Sequence, residues 1–275
     1  MEATILHGKT VTENSTKDTA AERMAIALKD ELFCVRYELG LLAGHVLQGR
    51  LERWIEGFCS PEIESDHVQR YEFASRIVNG CVLDIACGTG RGTRLLAEAK
   101  NVSEVHGYDI DPVAIQYAQI RNRHARAHFE TVNIAETADR AQFDAIVCFE
   151  TIEHVDKPEL FLRRLTELLK PEGRLLISTP VSAKALDQNP NNVYHVQEWG
   201  CDEFRTLLAS IFKIHTIHFQ YRQLLLKARL LGRIRGNQPR LARQSCWKTF
   251  QQVDAAQAKW RRSWIGFQIL ECSAL

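Results

Sequence analysis

The chain has 275 residues, 45% of them hydrophobic, and a formal net charge of +1, which is room for one large domain with an added segment or for two small ones. No apolar run approaches the roughly 18 residues that a membrane span requires, and Met1 to Val11 carry neither a basic start with an apolar block nor a small-residue cleavage site, so a cytoplasmic protein with no membrane span is expected. Eight cysteines at scattered spacings, with no C-x-x-C pair, argue against a zinc knuckle or a disulfide framework and for free thiols.

Residues 1–16 are polar and aperiodic. From Thr19 the pattern changes: Met24, Leu28, Leu32, Val35, Leu39, Leu42 and Val46 recur at three- and four-residue steps towards Trp54, the stripe of an amphipathic helix. That stripe must pack on something, either the domain that follows or a second copy in a homodimer. Residues 1–59 are thus read as a helical extension. Ser60-Pro61, followed by Glu62 and Glu64, is a helix start, and Asn79-Gly80 is a stop.

Strand and helix patterns then alternate, as in a mainly parallel sheet with right-handed crossovers. Strands are expected near 81–86, 104–109, 127–132, 143–149 and 173–179, with helices near 91–99, 112–124 and 157–169, the last closed by a turn at Pro171-Glu172-Gly173. A helix near 201–211 precedes two β-rich stretches, Ile211 to Tyr221 and Ser263 to Cys272. Between them, residues 222–262 hold eleven Lys/Arg against one acid, a balance of +10 that leaves −9 for the rest of the chain. Leu224 to Leu231 is apolar enough to form a lid helix. Trp247 and Trp260 lie inside this basic segment, with Trp264 just beyond, a composition that suits nucleic acid, a phosphorylated sugar or an acidic membrane surface.

The chemistry gathers after the predicted strands, where ligands bind in open α/β sheets. Val82-Leu83-Asp84-Ile85-Ala86-Cys87-Gly88-Thr89-Gly90 is an apolar strand ending in an acid and a turn too crowded for side chains. Gly88 and Gly90 bring backbone N–H groups close to a ligand at the start of a helix. Asp109, 25 residues past Asp84 and followed by Ile110, ends the second strand, where an acid can accept both hydroxyls of a ribose. Asp111, just before Pro112, reads as a helix N-cap. Asn133 and Ile134 end the third strand, and Glu150-Thr151-Ile152-Glu153-His154 follows the fourth.

The loop around Asp84 resembles the first motif of the class I S-adenosylmethionine-dependent methyltransferases, with Ala86 standing where its commonest form has glycine. The resemblance implies a Rossmann-like α/β fold: a seven-stranded class I sheet over residues 60–275, its last two strands antiparallel, preceded by the helical extension and interrupted by the basic insertion before the last strand. It implies S-adenosyl-L-methionine as cofactor. Asp84, Ala86, Gly88 and Gly90 would hold its amino-acid end, Asp109 its ribose, and Ile110, Asn133 and Ile134 its adenine, with Glu150 beside it. His67, Arg70 and Tyr71 resemble an H-x-x-R-Y element of glycan-cluster methyltransferases, in which Arg70 or Tyr71 would bond the cofactor carboxylate. Glu150, Glu153 and His154 resemble an E-x-x-E-H segment shared by ubiquinone-forming and small-RNA ribose methyltransferases. In the RNA group a second histidine precedes a Glu-Trp pair, as His195 precedes Glu198-Trp199 here. Those four side chains would hold Mg²⁺, Mn²⁺ or Zn²⁺, nitrogen ligands favouring the transition metals. In metal-free relatives with nearly the same segment, His154 would be a general base with Glu150 beside it, or would orient the acceptor. The acceptor expected from the shared hydroxyl chemistry is a small sugar or phenolic metabolite. RNA, and a non-catalytic partner subunit, are the rival readings.

Overall fold

The computed structural model describes residues 20–48, 53–137, 142–224, 243–250 and 265–275. Helix α1 (Ala20–Gln48) leads to α2 (Pro61–Ala74), β1 (Gly80–Ile85), α3 (Arg91–Ala97), β2 (Val102–Asp109), α4 (Pro112–Arg121), β3 (Ala127–Thr131) and β4 (Phe143–Phe149). A 3-10 turn at Ile152–His154 precedes α5 (Pro158–Leu168), β5 (Leu169–Pro180), the two-residue strands β6 (Leu186–Asp187) and β7 (Glu198–Trp199), and α6 (Cys201–Ala209). The long strands β8 (Phe212–Leu224), β9 (Arg243–Phe250) and β10 (Ile265–Ala274) follow.

The main sheet runs β3-β2-β1-β4-β5-β10-β8-β9. Its first five strands are parallel, while β10 lies antiparallel between β5 and β8. Seven strands therefore take the expected order. The eighth, β9, pairs antiparallel with the outer edge of β8; it comes from the basic segment, downstream of the lid helix expected over Leu224 to Leu231. Residues 225–231 of that expected helix lie outside the described residues. The turn expected at 171–173 is absorbed into β5, where the register with β4 jumps between Phe143↔Leu169 and Ala145↔Arg174.

Alternation along the strands builds two core layers. Leu83, Ile85, Ile146, Leu175 and Ile177 point to one face, against Leu162 and Leu165 of α5 and Phe204 and Leu208 of α6. Val82, Val105, Val147 and Leu176 point to the other, against Tyr71, Ala74, Val78 and Leu96. Full burial of each such side chain contributes about 1.5–3 kcal/mol. The caps read from sequence are formed: Ser60 Oγ accepts from Ile63 N–H, and Asp111 Oδ1 from Val113 N–H. Cys34, Cys59, Cys81, Cys87, Cys148, Cys201 and Cys272 are free thiols. No helix among the described residues is long and apolar enough to cross a membrane.

Helix α1 does not lay its apolar stripe on the domain, the first of the two expected packings. Its apolar stripe faces outward, with Met24, Leu28, Leu39 and Val46 all exposed. The opposite side meets α4: Glu31 takes a bidentate bond from Arg121, Glu38 accepts from Tyr117 Oη, and the Tyr37 ring lies 5.1 Å from that of Tyr117. Polar and aromatic pairing, rather than the apolar stripe, docks this helix on the domain.

Candidate active site

The turn after β1 is built from alternating left-handed residues. Ala86 has φ +55°, Gly88 +54° and Gly90 +81°, so successive peptide groups reverse and the chain doubles back into α3. Glycine is required at Gly90, where an added Cβ would sit 2.6 Å from the Phe129 ring and 2.7 Å from the Ala118 methyl. Ala86 accepts the same region with a side chain, at a cost of roughly 1–2 kcal/mol for an L-residue. Ala86→Gly is therefore expected to raise stability by a few tenths to about 1 kcal/mol, glycine's larger entropy loss offsetting part of the relief. Urea denaturation checks this, and a loss of stability would show that the left-handed backbone is not strained.

Asp109 fastens this turn. Its Oδ2 accepts from Gly88 N–H at 2.8 Å and its Oδ1 from Asp111 N–H at 2.9 Å. Arg53 reaches in from the segment before α2, donating to Asp109 at 3.3 Å and to Asp111 at 3.2 Å. Asp84 sits one layer back and fully buried. Tyr71 Oη donates to its Oδ1 at 3.1 Å and Thr93 Oγ1 to its Oδ2 at 2.6 Å. Burial outweighs those bonds and pushes the Asp84 carboxyl up to about 7.

In front of the turn lies a cavity of about 310 Å³. Ala86, Gly88, Asp109, Ile110 and Tyr71 line it, together with Glu150 and His154. Arg53 and Trp54 close its side, the Trp54 ring stacking 5.2 Å from His67 and 6.0 Å from Tyr71. These two were not read from the sequence, because an Arg-Trp pair at the end of an amphipathic stripe carries no site signal. Thr89 also lines the cavity, and its hydroxyl donates to the Trp54 carbonyl.

Several expected contacts lie elsewhere. Asp84 and Gly90 support the turn from behind and do not line the cavity. Asn133 is absent from the lining: its Oδ1 accepts from Ala135 N–H and its Nδ2 donates to Glu136, an Asx turn that uses up the side chain. Ile134 packs into the core below α5. Arg70 is buried but turned towards the antiparallel strands, donating to Gln220 Oε1 at 2.8 Å and lying 4.3 Å over the Phe267 ring. The Tyr71 hydroxyl serves Asp84 while its ring lines the cavity with His67, so of the H-x-x-R-Y element only Arg70 is turned away.

After β4, Glu150 has φ +51°, an unusual backbone for a residue with a side chain. Its Oε1 accepts from Ser178 Oγ at 2.7 Å. Glu153 is fully buried: Oε2 accepts from Thr179 Oγ1, while Oε1 has no hydrogen-bond partner. Burial, with the Glu150 charge nearby, pushes its carboxyl well above the usual range. His154 Nδ1 meets the Tyr194 carbonyl at 2.8 Å, so that nitrogen carries the proton and Nε2 is the basic one. The His195 ring stands 4.9 Å from that of His154. Both of its nitrogens are engaged, Nδ1 with Glu198 at 2.6 Å and Nε2 with Asn192 at 2.7 Å.

Ligand atoms of Glu153, His154 and His195 all lie within 4.8 Å of one another. As a cation site this fits only in part. The donor types are right and the unbonded Glu153 Oε1 offers a lone pair, but His195 would have to give up Asn192, and Glu150 is held by Ser178 outside the group.

Residues 78–228 match a family model described as a methyltransferase domain. A probable S-adenosylmethionine-dependent methyltransferase of Mycobacterium tuberculosis is 32% identical over 130 residues, which is 46% of this chain and 46% of its own. A ubiquinone biosynthesis O-methyltransferase of Alkalilimnicola ehrlichii is 30% identical over 152 residues, 51% of this chain and 57% of its own. The chain thus spans about half the length of the curated relatives it matches. Among solved structures, a 1,6-didemethyltoxoflavin-N1-methyltransferase of Burkholderia thailandensis is similar in fold, with a TM-score of 0.51 at 18% identity over 93% of this chain and 91% of that one.

Proposed function

Because the chain belongs to the methyltransferase-domain family, we propose that it moves the methyl group of S-adenosyl-L-methionine to a hydroxyl oxygen of a small acceptor, with His154 as the base. The observation that carries this reading is one cavity lined both by the turn with its acid and by a histidine. The Ala86–Gly88 turn and Asp109 suit the amino-acid and ribose parts of the cofactor, and His154 lines the same cavity. The ubiquinone O-methyltransferase relative supports oxygen as the methylated atom.

The transfer is an in-line displacement. The acceptor oxygen bonds to the sulfonium methyl, the carbon–sulfur electron pair stays on sulfur, and the hydroxyl proton passes to His154 Nε2. The protein's contribution is alignment, exclusion of water and removal of that proton. Arg53 already donates to Asp109, so it would yield or share that carboxylate with a ribose.

A second reading is favoured by the unbonded Glu153 Oε1. A divalent cation held by Glu153, His154 and His195 would polarise the acceptor hydroxyl and lower its pKa.

Purified protein incubated with S-adenosylmethionine and a metabolite extract should yield products heavier by one methylene unit. Asp109→Ala is expected to weaken S-adenosylhomocysteine binding by about 1–3 kcal/mol, the cost of losing charge-assisted hydrogen bonds. Mass spectrometry reads the first and titration calorimetry the second. Wild-type protein that binds a nicotinamide dinucleotide but no S-adenosylhomocysteine would refute the reading.

A further inference from the structure

At the opposite end of β1 from the cavity, three parallel strands set a second group of metal-type side chains on one face of the sheet. Parallel pairing places Cys81 beside Glu104 and His106 beside His128. The two-residue period of a strand brings Glu104 and His106, and then His128 and Glu130, to that same face.

Three of these side chains stand at the separations of ligands around an ion, and His128 joins them through Glu104. Cys81 Sγ, a Glu104 carboxylate oxygen and a His106 ring nitrogen lie within 4.8 Å of one another. Glu104 Oε2 is 3.7 Å from Nε2 of His106 and 3.7 Å from Nε2 of His128. That is too long for a hydrogen bond. Zinc–ligand bonds of about 2.0–2.3 Å put neighbouring atoms of a tetrahedral set roughly 3.3–3.8 Å apart.

The surroundings point the same way. His106 Nδ1 is buried with no hydrogen-bond partner and faces Glu130 Oε1 at 3.7 Å; a metal-bound histidine commonly offers its second nitrogen to a carboxylate in this manner. The Glu104 and His128 side chains are 46% and 48% exposed, so an ion reaches the group from solvent.

We propose that Cys81, Glu104, His106 and His128 form a zinc site that ties β1, β2 and β3 together, with Glu130 orienting the His106 ring. One thiolate, one carboxylate and two neutral imidazoles balance the charge of Zn²⁺, and sulfur and nitrogen donors select it over Mg²⁺. Binding exchanges the Cys81 S–H proton for the metal and releases that proton to solvent; nothing is oxidised or reduced.

Cobalt(II) titration of tag-free protein separates this site from the Glu153 cluster, which has no sulfur. The expected result is a one-to-one thiolate-to-cobalt charge-transfer absorption in the near ultraviolet, bleached by added Zn²⁺. Cys81→Ser should abolish it. Glu130→Gln, which leaves every ligand in place, should weaken metal affinity about 10- to 100-fold. S-adenosylhomocysteine binding and far-ultraviolet circular dichroism verify that both variants fold. A wild type with no such band overturns the proposal, and so does a band that persists in folded Cys81→Ser.

Discussion

Replacing His154 by alanine is expected to lower methyl-transfer turnover by roughly 10²- to 10⁴-fold, the usual contribution of a positioned general base. The direction follows from the hydrogen bond to the Tyr194 carbonyl, which commits Nδ1 to donation and makes Nε2 the basic nitrogen of a ring that lines the cavity. S-adenosylhomocysteine affinity should be nearly unchanged, because His154 is not part of the turn and acid that suit the cofactor. Glu150→Ala and His195→Ala should cost less, since Glu150 is bonded to Ser178 and His195 to Glu198 and Asn192. Chelator should have no effect on turnover if His154 acts alone. A cation at Glu153, His154 and His195 would instead make EDTA reproduce the His154→Ala loss, with Mn²⁺ or Mg²⁺ restoring activity to the wild type only. An enzyme that tolerates both His154→Ala and EDTA would leave neither version standing.

What could be read from the sequence was whatever depends on local spacing. The strand positions, the Ser60 and Asp111 caps and the acid-then-glycine turn all rest on residues within a few positions of each other, where backbone sterics and caps dictate structure directly. The left-handed turn even explains why Ala86 departs from glycine at a modest cost.

What depends on the far side of a contact was not legible. The stripe from Met24 to Val46 gave helix α1 but not its orientation, because the docking contacts Glu31–Arg121 and Tyr37–Tyr117 join residues some eighty to ninety positions apart. Arg70 looked like a cofactor ligand from its motif. Its partner, Gln220, lies 150 residues away, and only the sheet order brings β8 to it. Asn133 is the converse case, a side chain in register with a cofactor contact but consumed by its own turn. The group around Cys81 has no sequence signature, since its members come from three strands and become neighbours only through parallel pairing.

Asp84 gives a large expected dependence of stability on pH. Its carboxyl is pushed up to about 7 in the folded chain, from an ordinary value of 3.8, because burial outweighs the bonds from Thr93 and Tyr71. The folded protein therefore binds one proton more than the unfolded chain between those two values, and stability falls as pH rises through that window. The stabilising contribution is fully present below the unfolded value and is lost once pH passes the folded one. A difference of about three pKa units corresponds to on the order of 4 kcal/mol in total. Between about pH 5 and about pH 8 wild-type protein should thus lose roughly 2–3 kcal/mol more than Asp84→Asn, whose amide keeps the shape but does not titrate. Urea denaturation of both proteins at the two pH values measures this difference directly, and comparison with Asp84→Asn cancels the contribution of Glu153, which titrates in both. Parallel losses in the two proteins would mean that Asp84 is already ionised when the chain is folded, and that the Tyr71 and Thr93 hydroxyls outweigh its burial.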